Sequence, residues 1–327
     1  MDEDQAMYTE TIQVCDLLNN DDNNSSDDIT LDILYTEIPQ LTLPFLNYYH
    51  NDYKLYYLFT PFFSKDHINT YTNLNNSKMT KIGVSMYQEF PSTIKNKYES
   101  EFHKNNPIDY QENTILWLHP FKNPNHYNLI HDSKNYFFNF SNFFNVIPIK
   151  KYQKTIDIVI ICDNYFNINS KHWLRYYHNI TLINKVLPIL SNSKLNITII
   201  DTDNIVDKYS EFNYVHDTSL INSILDKSKI CIVFNKHASF IPYIGNALLR
   251  NNVILMYHSI LGEWNLINKY TGKFFSDTKT LLSNIEYAIN NYNKFKPKKW
   301  YSKKHDPQKQ IQQLYHTITK LYKKKFP

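Results

Sequence analysis

Glycine is almost missing from this chain: four residues in 327, at positions 83, 245, 262 and 272. That scarcity excludes both a phosphate-cradling G-x-x-x-x-G-K-[ST] loop and a G-x-G-x-x-G dinucleotide turn, because each needs several glycines in close register. Cysteine is nearly as rare. Cys15, Cys162 and Cys231 cannot make a disulfide framework, and the last two sit in apolar β-like runs, so buried free thiols in a reducing compartment are expected. The 13 histidines never take H-E-x-x-H spacing and no Cys-x-x-Cys occurs, which leaves zinc without sequence support. No G-x-S-x-G nucleophile elbow is present. Apolar runs long enough to span a bilayer are also absent. The N-terminus is acidic where a signal peptide would be basic, so a cytoplasmic protein is expected.

Positive charge is missing from the whole stretch before Lys54, while residues 1–29 carry "MDED" and "NNDDNNSSDD". Such a segment cannot bury enough apolar surface to order itself and reads as a solvated acidic tail. The far end is the reverse, with "KFKPKKWYSKKH" and "KLYKKKFP". Lysine there fits a solvated helix face; it could also meet nucleic acid, an anionic membrane surface or a phosphorylated ligand, and for nucleic acid there is charge alone. The chain is otherwise rich in Tyr (27) and Phe (20), and 42% hydrophobic residues over this length suffice for two domains.

The second half alternates strand and helix patterns. "TIDIVIIC" (155–162), "LNITII" (195–200), "KICIVF" (229–234) and "VILMY" (253–257) are short apolar runs of the kind buried on both sheet faces. Helical spacing fills the gaps over 172–190, 217–228, 242–250 and 277–292, with Asp217 or Thr218 and Asp277 as caps. This predicts a parallel, doubly wound sheet. In the first half, 53–59, 80–86, 113–119 and 135–140 read as strands with poorly marked helices between them. The expected organisation is an acidic tail (1–29), a small N-terminal α/β domain (30–148) and a C-terminal Rossmann-like domain (149–327). The latter ends in a helix whose stripe is Ile311, Leu314, Ile318 and Leu321.

Asp201 and Asp203, in "IIDTDN" at the end of a strand, are the one conspicuous carboxylate pair. Asp-x-Asp holds Mg or Mn against a diphosphate in one glycosyltransferase architecture, since hard oxygens suit those ions. An Asx-turn closing the strand is the competing reading.

The stretch 251–277, "NNVILMYHSILGEWNLINKYTGKFFSD", is more specific. It holds two of the four glycines on the loop after a strand, where doubly wound sheets receive ligands. An apolar strand is followed by Leu261, Gly262 and Trp264, then by Thr271, Gly272, Phe274 and Phe275. In that order these residues resemble the C-terminal domain of glycosyltransferases encoded by large DNA viruses, of the two-Rossmann-domain, GT-B, group 1-like class. Upstream, "HWLRYYHN" is similar to the family's first helix: Trp173 and Asn179 match, while His178 stands where Arg is usual. The resemblance extends over roughly 113–300.

This resemblance implies two Rossmann-like domains, a nucleotide-sugar donor, an acceptor that the sequence does not name, and no obligatory cofactor or metal. It further implies that Lys171, Arg175 and His178 neutralise the leaving phosphate, each open to the alternative of a solvated helix face. His237 and His258 could donate to sugar or phosphate oxygens, or lie on the surface as ordinary histidines. Trp264 could stack on the ligand or serve as a hinge aromatic, and Gly262 and Gly272 could serve turns or close backbone approach. The chain departs from the family at Asn246, where a carboxylate accepts hydrogen bonds from the donor ribose. Losing the charge weakens such a bond by about 1–2 kcal/mol. A catalytically degenerate binding or scaffold protein is therefore the alternative to an active hexosyltransferase.

Overall fold

The computed structural model describes residues 30–34, 45–49, 55–59, 80–84, 114–119 and 134–137 of the first half. It then describes 149, 152–163, 171–236, 241, 243–260 and 262–305, with isolated positions between 313 and 324. The acidic tail, Cys15 and His237 lie outside these. The chain divides into two compact units whose boundary falls between Phe143 and Phe144.

Six strands form the sheet of the first unit: β1 (Thr30–Leu34), β2 (Phe45–Tyr49), β3 (Leu55–Phe59), β4 (Thr80–Val84), β5 (Thr114–His119) and β6 (Lys134–Phe137), lying side by side in that order. β3 to β6 are parallel, while β1 and β2 add an antiparallel edge that the sequence reading does not contain.

The second unit follows the expected alternation closely. Its elements are β7 (Ile156–Cys162), α1 (Lys171–Tyr177), α2 (Ile180–Ser191), β8 (Ile197–Asp201), β9 (Asn213–Val215), α3 (Ile221–Lys227), β10 (Ser228–Val233), α4 (Ile244–Leu249), β11 (Val253–Tyr257), β12 (Gly272–Phe275), α5 (Thr278–Asn290) and α6 (Pro297–Lys304). The strands are all parallel, in the order β12-β11-β10-β7-β8-β9.

Alternation along each strand separates two cores. Ile158, Ile160, Ile230, Ile232, Val253 and Leu255 face α2 and α5, whereas Val159, Ile161, Cys231, Val233, Ile254 and Met256 face α3, α4 and α6. β-branched residues dominate these strands because both faces are buried and the pleat favours them. Cys162 and Cys231 are free and buried, as expected, and burial pushes the Cys162 thiol up.

One local feature differs from expectation, and the two expected caps are present. The helix expected over 172–190 breaks into α1 and α2 at Asn179, whose φ of 50° is one that Asn tolerates better than most residues. Asp277 caps α5 reciprocally with Thr280, and Asp217 receives the Ser219 amide ahead of α3.

The amino ends of the strands are closed by a buried polar group. Arg250 pairs with Asp226 at 3.2 Å, with the two side chains 0% and 5% exposed. Lys154 donates to the Leu225 and Arg250 carbonyls, and its burial draws its pKa down to about 8. Asn252 donates to the carbonyls of Leu225 and Ser228.

Candidate functional site

The strand order fixes where a ligand can enter. β7 runs to β8 and β9 on one side, and the chain then returns to lay β10, β11 and β12 on the other. The topological switch therefore lies between β7 and β10, and the loops leaving their carboxyl ends must diverge, opening a crevice. Asp163 follows β7, and Asn235 and Lys236 follow β10 shortly after its last residue.

A buried hydrogen-bond chain ties these strand ends together. The Tyr243 hydroxyl donates to Asn235 Oδ1 at 3.3 Å, and Asn235 Nδ2 lies 3.4 Å from His178 Nδ1. His178 Nε2 lies 2.9 Å from the Asp163 carbonyl, which only accepts, so Nε2 carries the proton and Nδ1 accepts from the amide. Burial holds the imidazole neutral, with its pKa down at about 4. Burial also lifts the neighbouring Asp163 carboxyl to about 6. The Lys236 amide closes the same junction on the Tyr177 carbonyl at 2.7 Å.

His178 consequently does not join Lys171 and Arg175. It is 1% exposed with both ring nitrogens bonded inside the protein, whereas the two cations stand exposed on α1. The sequence places the three within eight residues, but the break at Asn179 turns the imidazole inward.

The loop after β11 brings a second set of groups to the same end of the sheet. His258 is exposed, its amide on the Phe275 carbonyl at 2.9 Å and its ring 4.8 Å from that of Tyr257. Gly262 is buried and Trp264 half-buried. Among the described residues of this loop, the left-handed one is neither of its glycines but Glu263, with φ 56°. Glu263 is 1% exposed, and its Oε2 accepts from the Ile241 amide at 3.0 Å, linking the loop after β11 to the one after β10. Gly272 serves close approach rather than a turn: it opens β12 opposite Ile254, where a Cβ would meet the Ile254 carbonyl oxygen at 1.8 Å.

Asn246 lies on α4, buried, and its Oδ1 accepts from Arg250 Nη1 at 3.0 Å. Asp201 is fully buried. Its carboxylate accepts from the amides of Ile205 (2.9 Å) and Val206 (3.2 Å), and Oδ2 also meets Lys208 at 3.3 Å. Asp203 instead accepts from Thr202. Each Asp201 oxygen is thus already engaged by a strand-ending turn, a donor set that does not fit a divalent cation. Among the described residues, no group of three or more His, Cys, Asp or Glu side chains could hold a metal ion.

Sequence reasoning missed Asp163, Asn235, Tyr243 and Glu263. Single polar residues carry no spacing signal, and the strand order that gathers them is not local.

No family model matches the chain, and neither does any curated protein. Solved structures do. HepE of Anabaena, in complex with UDP, superposes with a TM-score of 0.57 at 11% identity, over 82% of this chain and 79% of its own. The pneumococcal O-GlcNAc transferase GtfA, in complex with UDP and GlcNAc, gives 0.52 at 9% identity, over 90% and 70%. TarM gives 0.53 at 12% identity over 78% of this chain, which spans only 53% of TarM's length. At these identities the likeness is one of fold: the chain has a GT-B-like α/β architecture built on Rossmann-like sheets.

Proposed function

We propose that the protein is a glycosyltransferase that takes a sugar from a nucleotide-sugar donor. The observation that carries this is the switch point between β7 and β10, in a chain whose fold is similar to those of HepE and GtfA, both seen with UDP. In this reading the donor diphosphate sits outside the carboxyl ends of β7, β10 and β11. Lys171 and Arg175 neutralise the charge that develops on the leaving phosphate, a stabilisation that grows toward the transition state. His258 donates to a sugar or phosphate oxygen, and Trp264 borders the base or sugar. His178 acts at one remove, holding the ends of β7 and β10 in register. His237 stays a candidate on the β10 side. Neutralisation by cations leaves no obligatory need for a metal, and the acceptor is a glycan, a protein or a small molecule.

A second reading has its own observation. Asn246, at the family's carboxylate position, is buried and bonded to Arg250, which fits a degenerate relative that keeps the fold as a binding or scaffold module.

Calorimetric titration with UDP, UDP-glucose and UDP-GlcNAc, in chelator and in Mn, separates the two. The transferase reading expects metal-independent binding that weakens at least about tenfold in Lys171→Ala/Arg175→Ala, the scale of one lost charge-assisted hydrogen bond. Binding that requires metal and is lost in Asp203→Asn would instead favour the Asp-x-Asp alternative. No nucleotide binding, in wild type or in Asn246→Glu, leaves the scaffold reading.

A further inference from the structure

Charge is segregated along the second unit. Residues 152–268 carry ten basic against nine acidic side chains, whereas residues 269–304 carry nine lysines against only Asp277 and Glu286. The excess sits beside exposed aromatic rings. Of the six large hydrophobic side chains most exposed among the described residues, three are Tyr270, Phe274 and Tyr287.

Direct contacts join several of these groups into one surface. Lys269 lies over the Tyr270 ring at 5.1 Å, and Lys273 over the Tyr287 ring at 3.5 Å. Tyr287 abuts the buried Phe295 at 6.1 Å between centroids, and the Lys296 amide holds the Tyr270 carbonyl at 2.8 Å. Lys294 and Lys296 flank Phe295, both exposed. The patch lies on the β12 edge, where the chain enters that strand, which is the opposite end from the carboxyl-end crevice.

We propose that this face docks the protein on an anionic lipid surface, lysines on the headgroups and tyrosines at the polar–apolar boundary. Lysine near an anionic bilayer gains from the surface potential, and tyrosine is suited to the boundary because its ring is apolar and its hydroxyl wet. Single-stranded nucleic acid fits less well, since it stacks bases on open ring faces and here lysines already lie over Tyr270 and Tyr287. Among the described residues no helix is long and apolar enough to cross a membrane, so contact at this face is by docking. Docking on the β12 edge leaves the crevice at the other end of the strands open to ligands, and the inference does not depend on which nucleotide sugar, if any, binds there.

Flotation of the full chain tests this with vesicles of phosphatidylcholine alone and of phosphatidylcholine with phosphatidylserine. Wild type should float only with the phosphatidylserine vesicles, and less as salt rises. Lys269→Glu/Lys294→Glu/Lys296→Glu should lose at least about tenfold in partitioning, as expected when several lysines near the surface are reversed. Tyr270→Ser/Tyr287→Ser should lose severalfold with its salt dependence intact, and both variants should melt as wild type does. Equal flotation with both vesicle types, none with either, or full retention by the triple variant overturns the proposal. So does binding to single-stranded RNA, lost in the triple variant, without binding to vesicles.

Discussion

Replacing Gly272 by Ala puts a methyl group where the β11–β12 pairing leaves no room. The added Cβ would lie 1.8 Å from the Ile254 carbonyl oxygen, 2.8 Å from its carbon and 3.0 Å from its nitrogen. Ordinary contact requires roughly 3.5 Å, so the strands must separate by more than about 1 Å. The obstacle is backbone, and no rotamer change relieves it. Overpacking of this kind costs about 1–3 kcal/mol. Two effects reduce the loss: alanine narrows the unfolded ensemble, returning about 0.4–1 kcal/mol, and β12 is an edge strand that can shift. If β12 detaches instead, each ladder bond lost costs about 1 kcal/mol. A net destabilisation of about 2 kcal/mol is expected, read as a lower urea midpoint by far-UV circular dichroism at unchanged slope. A midpoint equal to or above that of wild type would refute the close-approach argument and return Gly272 to the role of a loop residue.

Asp226→Ala should cost about 3 kcal/mol, because it leaves the Arg250 guanidinium buried without its carboxylate; denaturant unfolding measures this, and a loss below about 1 kcal/mol would mean that water reaches the site. His178 and Asp163 should act oppositely on stability as pH falls. The His178 pKa is depressed to about 4, so its contribution is present above about 6.5 and lost on acidification toward 4. The Asp163 pKa is raised to about 6, so its contribution is present below about 3.8 and lost as pH rises through 6. Melting curves from pH 4 to 7 should therefore show a steeper acid loss in Asp163→Asn and a shallower one in His178→Gln. His305, also held at about 4 by burial, acts in the same sense as His178 in every variant and drops out of the differences. Identical profiles for the three proteins would contradict the burial of this pair.

The fold was legible wherever burial imposed a local pattern. β7, β10 and β11 are β-branched runs closed on both faces, and Asp277 announced α5 through its capping geometry. β12 was not, because "GKFF" is four residues long and its Phe274 points out of the core, leaving no alternation to read. The break at Asn179 was hidden because "WLRYYHN" keeps helical spacing through the residue that ends the helix. For the candidate site, sequence put a loop after β11 and set Lys171 and Arg175 on a helix, where the structure has them; their role in binding is part of the proposal. It could not tell that His178 turns inward, since its partner Asn235 is 57 residues away. Glu263 was invisible for the same reason: its role depends on the Ile241 amide, 22 residues upstream.

The placement of β7 also governs how the chain can fold. β7 pairs with β8 in register Ile158↔Ile197 and with β10 in register Ser228↔Ile156, so its second edge cannot be covered until Ser228–Val233 has left the ribosome. Until then "IDIVIIC", strongly β-prone and carrying a single charge, presents an open row of amides and carbonyls to any other strand. Pairings this distant in sequence are slow to close. A segment open to misassociation during synthesis thus ends up in the middle of its sheet, and premature termination after β8 should yield a fragment that aggregates.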